Sequence, residues 1–134
     1  MPTEPLQPTT TWTNHELSRI GDAEELQLAS KRADGTLHSY VTMWVVRVDG
    51  DLYVRSAYGP TNPWFRRAKA SGAGRVRAGG IERDVTFAEP APEVQADVDV
   101  AYPTKYDRYG SEIVGAIVGP DARAVTIRLL PHDD

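Results

Sequence analysis

Residues 40–68 read YVTMWVVRVDGDLYVRSAYGPTNPWFRRA. Runs rich in valine, tyrosine and tryptophan flank Asp49-Gly50-Asp51, and Asp-Gly supplies the positive φ angles that a short hairpin turn needs. The spacing predicts a long strand over residues 37–48 and a return strand over residues 52–57. That strand runs out at Arg55-Ser56-Ala57-Tyr58-Gly59-Pro60, after which Asn62 stands as a capping side chain before Pro63 at the first helical position. A cation, a hydroxyl and a helix N-terminus converge there. Free amides and the helix dipole favour negative charge, so a phosphate or carboxylate is expected at this place.

On the N-terminal side, Ala33-Asp34-Gly35 is a turn signal, and residues 24–30 alternate as a strand does. Thr13 and Glu16 have capping-box spacing, Trp12 and Leu17 can staple the same helix start, and Gly21 ends that helix. Residues 1–11 hold three prolines and four threonines without periodicity and read as a loose arm, leaving residues 12–131 as a single domain. On the C-terminal side, the helix from Pro63 closes near Gly72, with Arg66, Arg67 and Lys69 on an exposed surface. Residues 75–78 and 82–88 form a second hairpin about Gly79-Gly80. Beyond Glu89 the period becomes helical, with Pro103 expected to interrupt or kink it. Ser111 opens a short helix through Val118 that Gly119-Pro120 ends, and residues 125–130 make a last strand. The long strand has two faces: Leu37, Ser39, Val41, Met43, Val45 and Arg47 on one, His38, Tyr40, Thr42, Trp44, Val46 and Val48 on the other. Both are covered over the middle. This order predicts an α+β domain built on an antiparallel barrel or strongly curled sheet.

Composition narrows the chemistry. At 134 residues and 40 % hydrophobic, the chain can bury one ordinary core. With no cysteine there is no disulfide, thiolate metal site or cysteine nucleophile. His15, His38 and His132 show no metal-ligand spacing, so no metal is expected. The start lacks a basic region followed by an apolar run, which argues for a cytoplasmic protein without a membrane span. Residues 31–83 carry 10 basic and 4 acidic side chains within a chain of net charge −4. Acidic flanks and a pI near 5.3 disfavour nucleic acid and suit a small anionic ligand, or else solvated arginines at the rim of a strand-rich core. Ser56, His38 and a carboxylate lack the G-x-S-x-G elbow of a nucleophilic trio, and Gly72-Ala73-Gly74 lacks the βαβ context of a dinucleotide loop.

The segments ELQLASKRADGTLHSYVTMWVVRVDGDLYVRS, NPWFRRA, GRVRAGG and DVTF resemble an uncharacterised bacterial branch of the flavin- and deazaflavin-binding split β-barrels, with a layout similar to deazaflavin-dependent nitroreductases. The resemblance spans roughly residues 24–130. It implies a six-stranded antiparallel barrel with peripheral helices, a homodimer, and either FMN or 8-hydroxy-5-deazaflavin at or near the interface. It also implies that Lys31 and Arg32 lie near the cofactor phosphate, that Thr42 faces the ring or side chain, that Arg55 and Ser56 hold phosphate or ribityl oxygens, and that Trp64 packs at the pocket edge. Two departures stand out: the basic turn carries the acidic Asp34, and Ala57-Tyr58 replaces a glycine pair.

Two functions are therefore expected in competition. One is a flavin- or deazaflavin-dependent oxidoreductase passing hydride to a small conjugated substrate, with Arg55, Lys31, Arg32, Ser56 and the helix start near Asn62 as a clamp and Trp44, Trp64, Tyr58 and Val41 as a slot. The other is a barrel without cofactor that binds, isomerises or cyclises a small hydrophobic metabolite. Tyr58 and Tyr106 are the candidate catalytic side chains. Tyr106 either donates a proton or packs its helix on the barrel, and Arg55 either clamps or pairs with Glu82 or Asp84 across the sheet.

Overall fold

The computed structural model describes residues 11–57, 59–115 and 117–131. In chain order the elements are α1 (Asn14–Gly21), β1 (Leu26–Ser30), β2 (Val41–Met43), β3 (Val46–Val48), β4 (Asp51–Arg55), α2 (Pro63–Ser71), β5 (Ala73–Ala78), β6 (Ile81–Ala88), α3 (Gln95–Tyr106), α4 (Ser111–Gly115), α5 (Pro120–Arg123) and β7 (Thr126–Pro131). The expected N-terminal arm, Tyr58 and His132 lie outside the described residues, save Thr11 at the end of the arm.

Local chemistry accounts for the connections. Asp49 adopts φ 53° and lets β3 turn into β4, with Val46 opposite Tyr53 and Val48 opposite Asp51. Gly79 and Gly80, at φ 57° and 82°, make the β5–β6 turn. At α1, Thr13 Oγ1 accepts from the Glu16 N–H at 3.1 Å while the Thr13 N–H donates to Glu16 Oε1 at 2.9 Å, completing the capping box. Asn62 begins α2 in extended geometry but makes no side-chain capping bond, so Pro63 starts this helix without the cap expected from sequence.

The residue 37–48 strand is where expectation and structure part. It is two short strands, β2 and β3, separated at Trp44 and Val45. The β2 half pairs antiparallel with β1, whereas the β3 half pairs with β4. The sheet order is β2-β1-β5-β6-β7-β4-β3, with every pairing antiparallel. Its two outermost strands thus belong to one run of chain, which closes the curled sheet into a split β-barrel. Counted as one bent strand, residues 41–48 make it six-stranded, in the α+β class expected.

Side-chain alternation survives the break. Val41, Met43 and Val45 face the barrel interior, together with Leu26, Leu28, Leu52, Val54, Val76, Val85, Ile127 and Leu129, closed by Leu17 and Ile20 of α1 and Phe65 and Ala68 of α2. Trp44, Val46 and Val48 face outward onto Val98, Tyr102 and Tyr106 of α3. Each fully buried aliphatic side chain contributes on the order of 1.5–3 kcal/mol. Trp12 ties the start of the domain to its end, donating from Nε1 to Leu129 O at 2.9 Å.

Two helical expectations change. Pro103 lies inside α3, and the helix runs through it to Tyr106 before a 3₁₀ turn over Asp107–Tyr109. A proline in the last turn removes only one N–H bond, and the outer packing of Tyr102 and Tyr106 holds both sides of it. Gly119-Pro120 does not end a helix but begins α5, since a proline fits the first turn, where its missing N–H has no partner to lose.

Candidate functional site

The split opens a slot of about 500 Å³ lined by Val41, Met43, Trp44, Trp64, Ile117 and, at its polar rim, Thr42, Glu25 and Asn62. It is mostly apolar and has the size that suits a small organic ligand. Trp64 is buried on α2, edge-on to Phe65 with ring centroids 5.9 Å apart. Trp44 is half-buried and stacks face to face on Tyr106, at 4.1 Å and an interplanar angle of 5°. Of the residues expected at a ligand, Thr42, Arg55 and Trp64 are therefore brought to one cavity.

Lys31 and Arg32 lie in a neighbouring cavity of about 480 Å³, with Ala33, His38, Arg67, Ala70 and Ser71. Ser71 Oγ donates to Lys31 O at 2.7 Å and so fastens the end of α2 to the basic turn. Arg32 Nη1 donates to Leu37 O at 2.7 Å, while Asp34 turns back to accept from the Thr36 N–H and hydroxyl. Those two bonds from Thr36 hold the Asp34 carboxyl below its ordinary value and occupy it within the turn. No carboxylate is among the described residues lining this cavity. Partial burial, then the charges of Arg32 and Arg67, push the His38 imidazole below its ordinary value. Trp64 of the slot and Ser71 of this cavity are roughly 10 Å apart along α2 at ~1.5 Å per residue.

Arg55 and Ser56 have other employment. The Arg55 side chain is fully buried, and all five of its N–H groups have acceptors: Thr126 Oγ1 at 2.8 Å, Asp99 Oδ1 at 2.6 Å, Ile117 O at 2.9 Å, and Gln95 Oε1 and O at 2.9 and 3.4 Å. Although it lines one wall of the slot, it has no donor to spare for a phosphate. Its ion-pair partner is Asp99, not Glu82 or Asp84, which pair with Arg75. Burial raises the Asp99 carboxyl, but bonds from Arg55, Arg123 and the Gly119 N–H outweigh it and hold the group below its ordinary value. Ser56 is buried and donates to Gly59 O at 2.6 Å, shaping its own loop.

Tyr106 sits under the break in the strand. The buried Val45 N–H donates to Tyr106 Oη at 3.2 Å, and that hydroxyl donates to Glu24 O at 2.8 Å. Lys105 Nζ donates to Val45 O at 2.7 Å. Two consecutive side chains of α3 thus satisfy the peptide groups that lose ladder partners where β2 gives way to β3. Burial pushes the Tyr106 hydroxyl up to about 12. Of the two roles open to Tyr106, the packing one is what its geometry displays. Sequence reasoning gave Asp99 and Gln95 no role, weighed His38 only for a metal or a nucleophilic trio, and left Arg67 on an exposed helix face; only the clustering of basic residues between 31 and 83 hinted at the last.

A model of DUF2255, described as an uncharacterised protein conserved in bacteria, matches residues 16–129. The chain belongs to that family. No curated protein matches it. Among solved structures, the DUF2255 chain is similar to a candidate pyridoxamine 5′-phosphate oxidase from Listeria innocua, at 16 % identity and TM-score 0.60 over 87 % of this chain and 90 % of that one. An F420-H2 dependent reductase gives 17 % identity and TM-score 0.58 over 80 % and 93 %. A FAD-binding protein from Mesorhizobium loti gives 19 % and 0.52 over 92 % of each chain. These likenesses establish the fold, a split β-barrel with peripheral helices. No described helix is long and apolar enough to cross a membrane.

Proposed function

We propose that the slot at the strand break binds the flat ring of a flavin or deazaflavin, with Lys31, Arg32 and Arg67 taking its phosphate, in an oxidoreductase that passes hydride to a small conjugated substrate. The observation that carries this is the pairing of an apolar, tryptophan-lined slot with a cationic cavity along a single short helix. The residues fit such a group: two tryptophans and aliphatic side chains for the ring, Thr42 at the rim for a polar edge, and three cations without a lining carboxylate for the anion. The cofactor, when bound, supplies the hydride chemistry. The chain's own part is to exclude water with Val41, Met43 and Trp64, to orient the ring beside Trp44, and to neutralise the phosphate. In this arrangement Arg55 and Ser56 support the wall from behind. The fold relatives named as an F420-H2 dependent reductase and a FAD-binding protein support the reading, and a domain-swapped dimer among the solved neighbours supports a homodimer.

Titration of the purified protein with FMN and with oxidised and reduced deazaflavin tests it. A perturbed visible spectrum is expected, with affinity falling about tenfold in Lys31→Ala and in Arg67→Ala, the scale of one charged hydrogen bond at ~1.5 kcal/mol. An unchanged spectrum at high protein and cofactor concentration would refute the proposal.

One observation favours a second reading. With every Arg55 donor engaged, the slot wall offers no available guanidinium, which suits an uncharged hydrophobic metabolite bound without redox chemistry. Uptake of an uncharged aromatic dye by a protein that ignores FMN would select it.

A further inference from the structure

Between α3 and the outer face of the barrel lies a groove of about 570 Å³ formed by the end of α1, β3 and α3. Its apolar lining comes from Val46, Val48, Val100 and Ala101, with Lys105 among the lining residues. Val100 is 64 % exposed, a large aliphatic side chain left uncovered at the mouth. The charges facing the lysine are Asp22 from α1, Arg47 and Asp49 from β3 and its turn, and Asp97 from α3 itself. Arg47 is partly occupied, donating from Nε to Asp49 O at 2.9 Å. The groove is thus apolar in body and acidic at its edge.

We propose that Lys105 is the nucleophilic amine of a second site, which takes a small uncharged carbonyl compound as an imine in the α1–β3–α3 groove. The lysine Nζ is anchored at 2.7 Å on Val45 O, so its position is fixed rather than swept through solvent. A neutral amine can donate one N–H to that carbonyl and keep its lone pair for attack. The amine nitrogen adds to the carbonyl carbon, the carbinolamine loses its oxygen as water, and the product is C=N with two hydrogens removed from nitrogen. A protonated imine retains one N–H, which can still donate to Val45 O, so the anchor persists in the electrophilic product. Burial pushes the Lys105 ammonium down to about 8, opposed in part by Asp22, which gives a substantial neutral fraction near physiological pH. Three carboxylates at the rim disfavour an anionic ligand and set the class as uncharged aldehydes or ketones.

The chain has three lysines, Lys31, Lys69 and Lys105, so site selectivity can be read directly. The intact protein is incubated at about pH 8 with propanal and cyanoborohydride, and alkylation of each lysine is followed by peptide mapping. Lys105 is expected to react about tenfold faster than either other lysine, since the groove holds the carbonyl beside an anchored amine whose ammonium burial lowers to about 8. The exposed-site variant Val100→Trp, which narrows the mouth, is expected to bring Lys105 down to the rate of the others without affecting them. Glyoxylate, an anionic aldehyde, is expected to lose the preference for Lys105. Equal labelling of all three lysines by propanal overturns the proposal, as does a Lys105 rate that Val100→Trp leaves unchanged in a folded protein. Glyoxylate modifying Lys105 as readily as propanal overturns the assigned ligand class.

Discussion

Replacing Asp99 with alanine would remove the carboxylate paired with a guanidinium that has no exposed side-chain surface. Breaking a buried ion pair by deleting one partner costs about 3–5 kcal/mol, because the surviving charge stays desolvated. Two features place Asp99→Ala near the lower end of that range, at about 3 kcal/mol. Arg55 would keep its neutral acceptors on Thr126, Ile117 and Gln95, and the Asp99 side chain is 17 % exposed, so water can reach part of the gap. The loss also releases the Gly119 N–H and Arg123 from the same carboxylate. With a urea m-value of about 1.5 kcal/mol/M for a domain of this size, the unfolding midpoint should fall by about 2 M. Asp99→Asn keeps the shape and one acceptor and should lose about half as much. Since the folded-state pKa of Asp99 is depressed, its contribution is fully present above the unfolded carboxylate value and is lost as pH falls through the folded one. Asp99→Ala should therefore flatten the acid limb of the stability curve. A midpoint shift below about 0.5 M would refute the reasoning and return Arg55 to the set of cations available for a ligand.

Other perturbations probe the strand break and the close approaches around it. Tyr106→Phe leaves the Val45 N–H without its acceptor and Glu24 O without its donor, and should cost about 1–3 kcal/mol in chemical denaturation. Lys105 is lowered in the folded state, so it binds its proton less well there than when unfolded; stability should rise with pH from about 8 towards 10, and Lys105→Met should remove that rise. A Cβ on Gly74 would lie 2.1 Å from Ala29 O in the adjoining strand, so Gly74→Ala should cost upwards of about 3 kcal/mol or leave the protein insoluble on expression.

The hairpins, the capping box and the two covered faces of residues 37–48 could all be read before the structure, because each is a local matter of turn chemistry or alternation. The break at Trp44 and Val45 could not. Side-chain direction continues in phase through it, Val45 inward and Val46 outward, so no slip in the hydrophobic pattern marks the change of partner strand. What changes is backbone pairing, and that is invisible to a pattern made of side chains. The site was legible to a similar degree. Thr42 and Trp64 share a cavity, and Lys31 and Arg32 share another, whereas the resemblance grouped all four around one cofactor. Arg55 misled because an arginine at a strand end resembles a rim residue. Its carboxylate lies 44 positions further on, in a helix whose docking no local signal specifies.

The break also sets how the protein can breathe. Elsewhere around the barrel, separating neighbouring strands means tearing a run of backbone bonds, but at the seam, among the described residues, the two flanking strands are joined by covalent chain and by what α3 lends them through Tyr106 and Lys105. A slight withdrawal of that helix would let the aperture beside Trp44 dilate while every ladder stayed whole. On the proposed function, the size of the guest would then depend on a helix outside the barrel, and changes on its buried face should retune capacity before they unfold the scaffold.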